Sequence, residues 1–349
     1  MQIAIVIPAF NVAPFLPDAI RSVLAQTHAD WSLTVIDDGS TDSTATVASR
    51  FRDPRIRLIR QSNAGVSAAR NAGIALALLA PTAALTVLVG PASPRGRGDP
   101  AIHAPTAEIR PAPPTQTIPP IPPPDAFLFL DGDDWLAPTA LTRLADTLDN
   151  APWAVASVGR TARVTLNGTT RLSRPPPQGG LLERLLTRNL FANGGHLLIR
   201  REAIETAGDF RTDLTYGEDW EYWTRLALLG EFVSDPSRDP LLYVRERAGS
   251  ACLRHATNPD AYRPAMNAIH RIPTLRDRLG SSRLDRLAQQ AEAEMAWTVG
   301  REMIRHGRKQ DGLRWLGRSI RLAPGPKRIL LMALSWLCVG PFRPYETIS

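Results

Sequence analysis

The chain has 349 residues, 44% hydrophobic and 21% charged, as expected of a globular protein with one large domain or two ordinary ones. Its net charge of +7 favours an anionic partner such as nucleic acid, an anionic membrane surface or a nucleotide-bearing substrate. Cys252 and Cys338 lie far apart, which argues against a disulfide framework and a zinc site. The first strand begins near residue 2 without a preceding signal peptide, so we expect a cytoplasmic protein.

Apolar runs alternate with helical patterns from the start of the chain. Residues 3–7 and 31–36 are short apolar runs, typical of strands buried on both faces of a parallel sheet. Residues 14–27 carry apolar side chains at helical spacing between these runs, and a second helix to about residue 51 precedes a strand at 56–59. This order predicts an α/β fold with a doubly wound sheet.

Acidic residues follow one strand in the middle of the chain. The apolar run 127–130 ends at Asp131, Gly132, Asp133 and Asp134. Ligands of open α/β sheets bind at the carboxyl ends of strands, and hard divalent cations prefer carboxylate oxygens. We therefore predict a metal and diphosphate site at Asp131 and Asp133. The simpler alternative is an acidic turn in which Asp134 or a neighbour caps the following helix.

A second acidic pair, Asp37 and Asp38, follows the strand at 31–36. These carboxylates could accept hydrogen bonds from a ribose hydroxyl or a base, or form a solvated turn before a helix capped by Asp42 or Ser43, and the sequence leaves both open. Further on, a loop containing glycine leads into a helix of small residues with Arg70, whose forked donors suit phosphate oxygens. An ordinary surface arginine is the alternative.

Four segments together resemble the conserved blocks of the family 2 glycosyltransferases, which have the GT-A fold. They are Ile-Val-Ile-Pro-Ala-Phe-Asn at 5–11, Val-Ile-Asp-Asp-Gly-Ser-Thr-Asp-Ser-Thr at 35–44, Asn-Ala-Gly-Val-Ser-Ala-Ala-Arg-Asn-Ala-Gly at 63–73 and Phe-Leu-Asp-Gly-Asp-Asp at 129–134. The resemblance covers residues 2–250 and implies an inverting sugar transferase. It also implies a nucleotide-sugar site formed by Pro8, Phe10, Asn11, Asp37, Asp38, Arg70 and Asp131, with Mn²⁺ or Mg²⁺ on Asp131 and Asp133.

The resemblance extends to the acceptor side of the site. Glu218 and Asp219 follow a glycine at the start of an aromatic helix, where the helix dipole alone would favour acids. The Glu-Asp-Trp block is also similar to the family's catalytic-base motif, which implies that Asp219 deprotonates the acceptor hydroxyl and Glu218 supports it. Gly195 and His196 border the implied acceptor site, although a structural histidine is equally compatible with the sequence. Arg245 and Arg247 close the resembling region and could contact phosphate.

The resemblance implies a hexosyltransferase-type enzyme that uses a nucleotide-sugar, with UDP favoured, and a saccharide or lipid-linked acceptor in cell-envelope synthesis. The alternative is an impaired nucleotide-sugar-binding or assembly protein at the membrane. Nucleic acid is disfavoured, because the basic residues are dispersed and form no reading motif.

We expect a GT-A domain at 1–255 and a helical region at 256–349. The domain is interrupted at 80–125 by an insertion that ends in a dense proline run, for which we predict a disordered or polyproline-like segment. The apolar run 329–339 is too short to span a bilayer. It fits an anchor at the inner face of the membrane and a packed terminal helix equally well.

Overall fold

The structure is a computed structural model that describes residues 1–79, 123–165, 167–247 and 254–335. Most of the predicted insertion at 80–125 therefore lies outside the described residues. The strands are β1 Ile3–Ala9, β2 Trp31–Asp38, β3 Ile56–Gln61, β4 Ala126–Phe129, β5 Trp135–Leu136, β6 Ala154–Val158, β7 Arg160–Val164, β8 Thr170–Leu172, β9 Leu197–Arg200, β10 Glu231–Ser234 and β11 Pro240–Arg245.

Helices alternate with these strands up to residue 229 and continue alone after residue 258. They are α1 Leu16–Leu24, α2 Thr44–Ala48, α3 Val66–Leu78, α4 Ala140–Asp149, α5 Leu182–Leu185, α6 Arg201–Ala207, α7 Glu218–Leu229, α8 Pro259–His270, α9 Pro273–Leu279, α10 Ser281–Arg305, α11 Lys309–Leu322 and α12 Pro326–Ser335. A short 3₁₀ helix at Gly194–His196 precedes β9.

Seven strands form the central sheet in the order β10-β6-β9-β4-β1-β2-β3. Strands β1 to β4 run parallel to one another, whereas β9 runs antiparallel to both β4 and β6. The sheet is thus mixed, and helices cover both of its faces. The prediction of a doubly wound mixed sheet is confirmed.

Side chains of β1 alternate between the two cores, as the pleat of a strand requires. Ile3, Ile5 and Ile7 belong to the buried cluster that includes α1 and α4. Ala4 and Val6 belong to the cluster that includes α3, α6 and α7. Helix α3 approaches β1 closely, because a Cβ atom at Gly73 would lie only 2.4 Å from Cγ1 of Val6. The near-continuous apolar pattern of β1 therefore reflects burial on both faces.

Strand β4 pairs with β1 in parallel register, from Ala126 beside Ile3 to Phe129 beside Val6. Its entry is fixed by Asp125, whose backbone N–H donates to the carbonyl oxygen of Gln2 at 2.8 Å. The strand that carries the acidic loop thus lies in the middle of the sheet, and the long insertion before it has not displaced it.

A second sheet has the order β5-β11-β7-β8. The sequence pattern predicts strands at 154–159 and 163–166 around a turn at Asn167 and Gly168, and this prediction is partly wrong. Strands β6 and β7 are separated by Gly159 alone and belong to different sheets, whereas the Asn167 turn joins β7 to β8. Gly159 permits the crossing because a Cβ atom there would lie 2.7 Å from Leu241. Leu166 lies outside the described residues.

The helices after residue 258 pack against the α/β part of the chain. Ala265, Met266 and Leu284 belong to the same buried cluster as Trp223 of α7. In the apolar run that we predicted at 329–339, residues 336–339 lie outside the described part, and Ile329 and Leu330 are exposed. Among the described helices, none has the length and apolar composition needed to cross a bilayer.

Candidate functional site

The acidic loop after β4 brings three carboxylates together. Asp131, Asp133 and Asp134 each offer an oxygen atom within 4.8 Å of the others. Asp134 is 2% exposed and accepts hydrogen bonds from Nδ2 of Asn193 at 2.6 Å and from the backbone N–H of Arg245 at 2.9 Å. The Asp134 carboxylate therefore stabilises the acidic loop and does not cap α4. Asp131 and Asp133 keep more exposed side chains, at 31% and 17%.

The loop concentrates negative charge in a partly buried place. Burial raises the pKa of Asp131, and the neighbouring Asp133 raises it further against the opposing effect of Arg70. Burial also raises the pKa of Asp134 well above its usual value, as do the charges of Asp131 and Asp133. Such a cluster is relieved by an added cation. Its donors are all carboxylate oxygens, which fits a hard divalent ion such as Mg²⁺ or Mn²⁺ on Asp131 and Asp133.

Arg70 connects this loop to α7. Its guanidinium is almost fully buried and donates from Nη1 to Oε1 of Glu218 at 2.9 Å and from Nη2 to Oδ1 of Asp131 at 3.3 Å. Burial alone would lower the pKa of Arg70, but the charges of Asp131, Glu218 and Asp219 raise it above its usual value. The predicted phosphate ligand thus serves as a bridge between two carboxylates in this structure.

Asp219 lies in the first turn of α7, after Gly217 in the left-handed conformation with φ of 76°. Its Oδ1 accepts a hydrogen bond of 2.6 Å from the backbone N–H of Trp220 and one of 3.4 Å from Nδ2 of Asn189. Burial raises its pKa to about 7, and the adjacent Glu218 contributes, while Arg70 opposes the shift. A carboxylate that titrates near neutrality suits general-base chemistry. Asn189 was not among the predicted site residues, and no local pattern marks it.

The Asp37–Asp38 pair is buried at the carboxyl end of β2. Asp37 accepts hydrogen bonds from Nε of Arg60 at 3.0 Å and from the backbone N–H of Ser40 at 3.1 Å. Asp38 accepts from the backbone N–H groups of Ala64 and Gly65, at 2.9 and 2.8 Å. These contacts favour an ordered loop over the solvated turn that the sequence left open, and they bind the β2 loop to the start of α3.

The loop after β1 lies beside the other two. Asn11 has a φ of 51°, and its Oδ1 accepts a hydrogen bond of 2.9 Å from the backbone N–H of Thr41. Phe10 is 47% exposed, and Pro8 lies beside Ile36 of β2. The carboxyl ends of β4, β1 and β2 are adjacent in the sheet, so the predicted nucleotide-sugar residues occupy one edge of it.

His196 and Gly195 lie behind the acidic loop. The His196 ring is buried, with Nδ1 2.8 Å from the carbonyl oxygen of Gly159, and burial lowers its pKa to about 4. A neutral, enclosed ring fits the structural role that the sequence left open. Gly195 donates its N–H to Oδ1 of Asn193 at 2.9 Å, which orients the Asn193 amide towards Asp134.

Two arginines from the end of the second sheet reach the acidic loop. Nε of Arg247 donates to Oδ2 of Asp133, and Nε of Arg245 donates to the Asp133 carbonyl oxygen at 3.1 Å. Arg245 also donates from Nη2 to Asp18 at 2.8 Å, and its guanidinium lies 4.6 Å from the centre of the Trp135 ring.

This sheet, with acidic groups at its carboxyl edge, has the GT-A type of fold. The solved structure of S. aureus TarS residues 1–349 in complex with UDP-GlcNAc aligns with a TM-score of 0.61 at 15% identity, covering 97% of this chain and 85% of that one. The mannosyltransferase PcManGT from Pyrobaculum calidifontis, in complex with GDP-Man and Mn²⁺, aligns with a TM-score of 0.51 at 14% identity, covering 98% and 82%. At these identities the likeness establishes the fold.

The first part of the chain matches a known protein family. Residues 4–78 match the family described as Glycosyl transferase family 2. Over 74 residues the chain is 42% identical to the uncharacterized glycosyltransferase EpsJ of Bacillus subtilis, a match that spans 21% of this chain and 22% of that protein. Residues 4–78 thus match glycosyl transferase family 2, and the chain has a GT-A fold, so the resemblance seen in the sequence is confirmed.

Proposed function

We propose that this protein is an inverting glycosyltransferase that moves a sugar from a nucleotide-diphosphate sugar to an acceptor hydroxyl. The observation that carries the proposal is the Arg70 bridge. One buried guanidinium contacts both Asp131, the predicted metal ligand, and Glu218, the neighbour of the predicted base. This contact supports the proposal, because it keeps the predicted donor-side and acceptor-side groups next to each other.

In the proposed reaction, Asp219 accepts the proton of the acceptor hydroxyl as its oxygen attacks the anomeric carbon. The sugar–oxygen bond to the diphosphate breaks on the opposite face, which inverts the anomeric centre without a covalent enzyme intermediate. Arg70 holds Glu218, the neighbour of the proposed base, and the Trp220 N–H donates to one of the base's oxygens. A divalent cation on Asp131 and Asp133 would supply positive charge that offsets the charge developing on the leaving diphosphate.

The proposed donor is UDP-linked, and the proposed acceptor is a saccharide or lipid-linked intermediate of cell-surface polysaccharide, lipopolysaccharide or glycolipid synthesis. Two structures of similar fold support a nucleotide-sugar donor, since one was solved with UDP-GlcNAc and the other with GDP-Man. Such acceptors are often membrane-bound, so we also propose peripheral contact with the inner face of the membrane. The exposed Ile329 and Leu330 of α12 support that contact.

An impaired binding or assembly protein would result if the predicted insertion at 80–125 displaced the strand before the acidic loop. The backbone N–H of Leu130 donates to the carbonyl oxygen of Val6 at 3.0 Å, which keeps this strand end beside β1. This contact favours an active enzyme over the impaired protein. Binding of a nucleotide-sugar without transfer or hydrolysis would nevertheless support the alternative.

The proposal is tested by incubating the purified chain with a panel of nucleotide-sugars and Mn²⁺. We expect thermal stabilisation by one donor, and its turnover by the wild type but not by Asp219→Asn. Asp213→Asn is the matched control, because the Asp213 side chain is 62% exposed and pairs only with nearby Arg211 among the described residues. Unchanged turnover in Asp219→Asn would place the base elsewhere.

A further inference from the structure

The Asp133 carboxylate, proposed above as a metal ligand, already has a cationic partner in this structure. Nε of Arg247 donates to its Oδ2, and the two side chains are 33% and 17% exposed. A cation that binds the same oxygen competes with this hydrogen bond, because two positive charges beside one carboxylate oxygen repel each other.

The strand geometry directs Arg247 to this place. Arg245 ends β11, and side chains of successive residues in an extended chain point to opposite sides. Glu246, the residue between the two arginines, donates its N–H to the carbonyl oxygen of Val164 at 2.8 Å and pairs with Arg163 at 3.2 Å on the other side. Arg245 and Arg247 therefore share the side that faces the acidic loop.

The two arginines differ in how firmly they are held. Arg245 contacts the Asp133 carbonyl oxygen, the Asp18 carboxylate and the face of Trp135. Within the described residues, the ion pair of Arg247 is with Asp133, and the nearest ring is Phe15, whose centre lies 5.8 Å from the guanidinium. Arg245 thus has three contacts at the loop, whereas the described residues give the partly exposed Arg247 side chain one ion pair there.

We propose that Arg247 is a built-in counter-ion that competes with the divalent cation for Asp133, so that the cation binds when this guanidinium leaves. The inference rests on the metal role proposed for Asp133. When no cation is bound, the positive charge of Arg247 partly neutralises the acidic loop. This pairing reduces the repulsion among its three carboxylates.

The exchange also couples the cation to the donor. Once released, the guanidinium lies next to the cation site, where the diphosphate of the donor is the anion that the proposed reaction brings. An anion that binds Arg247 after its release from Asp133 favours occupation of Asp133 by the cation. By the same linkage, the bound cation strengthens binding of that anion. Cation and nucleotide diphosphate should therefore strengthen each other's binding partly through Arg247.

The test is Mn²⁺ affinity, measured by titration with detection of free Mn²⁺ by electron paramagnetic resonance, with and without UDP. Without UDP, we expect Arg247→Gln to bind Mn²⁺ about fivefold more tightly than the wild type, the size expected for loss of a competing partly exposed ion pair. UDP should then increase the Mn²⁺ affinity of Arg247→Gln by a smaller factor than that of the wild type. Arg247→Lys, which keeps the positive charge, should remain close to the wild type.

Arg163→Gln is the matched control, because it removes an arginine from the opposite side of the same strand region, and it should leave both Mn²⁺ affinities unchanged. If Arg247→Gln binds Mn²⁺ no more tightly than the wild type while Asp133→Asn abolishes binding, the competition is refuted and the metal site is supported. If wild type and Asp133→Asn bind Mn²⁺ alike, the metal assignment fails and this inference fails with it. Tighter Mn²⁺ binding by Arg247→Gln in a protein that binds a nucleotide-sugar without transfer or hydrolysis would support the exchange and favour the impaired binding protein over the proposed reaction.

Discussion

Nη1 of Arg70 lies 2.9 Å from Oε1 of Glu218, although 148 positions separate the two residues in the chain. The same guanidinium reaches Oδ1 of Asp131 at 3.3 Å. Three sequence blocks that were recognised separately therefore meet at one buried arginine side chain. The proposed base, Asp219, is the neighbour of Glu218 in the first turn of α7.

Replacing Arg70 by methionine should destabilise the fold. The Arg70 side chain is 5% exposed and its removal leaves Asp131 and Glu218 without their partner, so we expect the free energy of unfolding to fall by about 3 kcal/mol. Urea denaturation followed by tryptophan fluorescence measures this change. Arg211→Met, which breaks a pair with a 43% exposed arginine, should change stability by less than about 0.5 kcal/mol. Equal effects of the two substitutions would contradict the bridging role.

Replacing Asp133 by asparagine should abolish Mn²⁺-dependent binding of UDP. The amide keeps the shape of the side chain but removes the negative charge that attracts a hard cation. Calorimetric titration of UDP with and without Mn²⁺ measures the effect. Asp146→Asn on the exposed side of α4 is the control and should bind as the wild type does. Normal Mn²⁺-dependent affinity in Asp133→Asn would remove this residue from the proposed metal site.

The sequence predicts those parts of the fold that depend on the local pattern of apolar residues. The buried strands β1, β2 and β4 appear as apolar runs, because both faces of each strand are covered. The sequence placed acids after β2 and β4, and the strand order brings the carboxyl ends of these strands to the same side of the sheet, where open α/β sheets bind ligands.

Contacts that depend on packing of distant segments could not be predicted in this way. Asn193 binds Asp134 across 59 positions, and Asn189 approaches Asp219 across 30. Neither asparagine lies in a periodic pattern or a charged cluster. The change of sheet at Gly159 was missed for a similar reason, because its cause is the close approach of Leu241, 82 positions later.

Removing residues 81–122 and joining the ends with a short glycine-serine linker should leave the fold intact. Both sides of the deleted segment are anchored on β1, since α3 packs against Val6 through Gly73, and β4 pairs with β1 in register. The lengthening of a loop changes stability only slowly with its length. Circular dichroism and thermal melting should match the full chain within a few degrees. An insoluble or unfolded product would show that the insertion is required for the α/β core.

The raised pKa of Asp219 predicts that its replacement by asparagine stabilises the protein at alkaline pH. Its pKa is about 7 in the folded chain, against an ordinary value of 3.8, so between these values the folded state binds more protons than the unfolded state. The contribution of this group to stability is therefore fully present below about pH 4 and is lost as pH rises through about 7. Asparagine, which resembles the protonated form, avoids that loss.

Thermal melting at pH 5 and pH 8 measures the effect on stability. We expect Asp219→Asn to melt at a higher temperature than the wild type at pH 8, with a smaller difference at pH 5. Asp213→Asn should show no such gain, because Arg211 lowers the pKa of Asp213. The same titration governs the proposed reaction, since only the ionised base accepts a proton, so transfer by the wild type should rise with pH up to about 7 and then level off. A wild type that is more stable than Asp219→Asn at pH 8, or a rate that is flat from pH 5 to pH 8, would show that Asp219 is already ionised at low pH. In that case the buried, charge-crowded environment assigned to this carboxylate would be wrong.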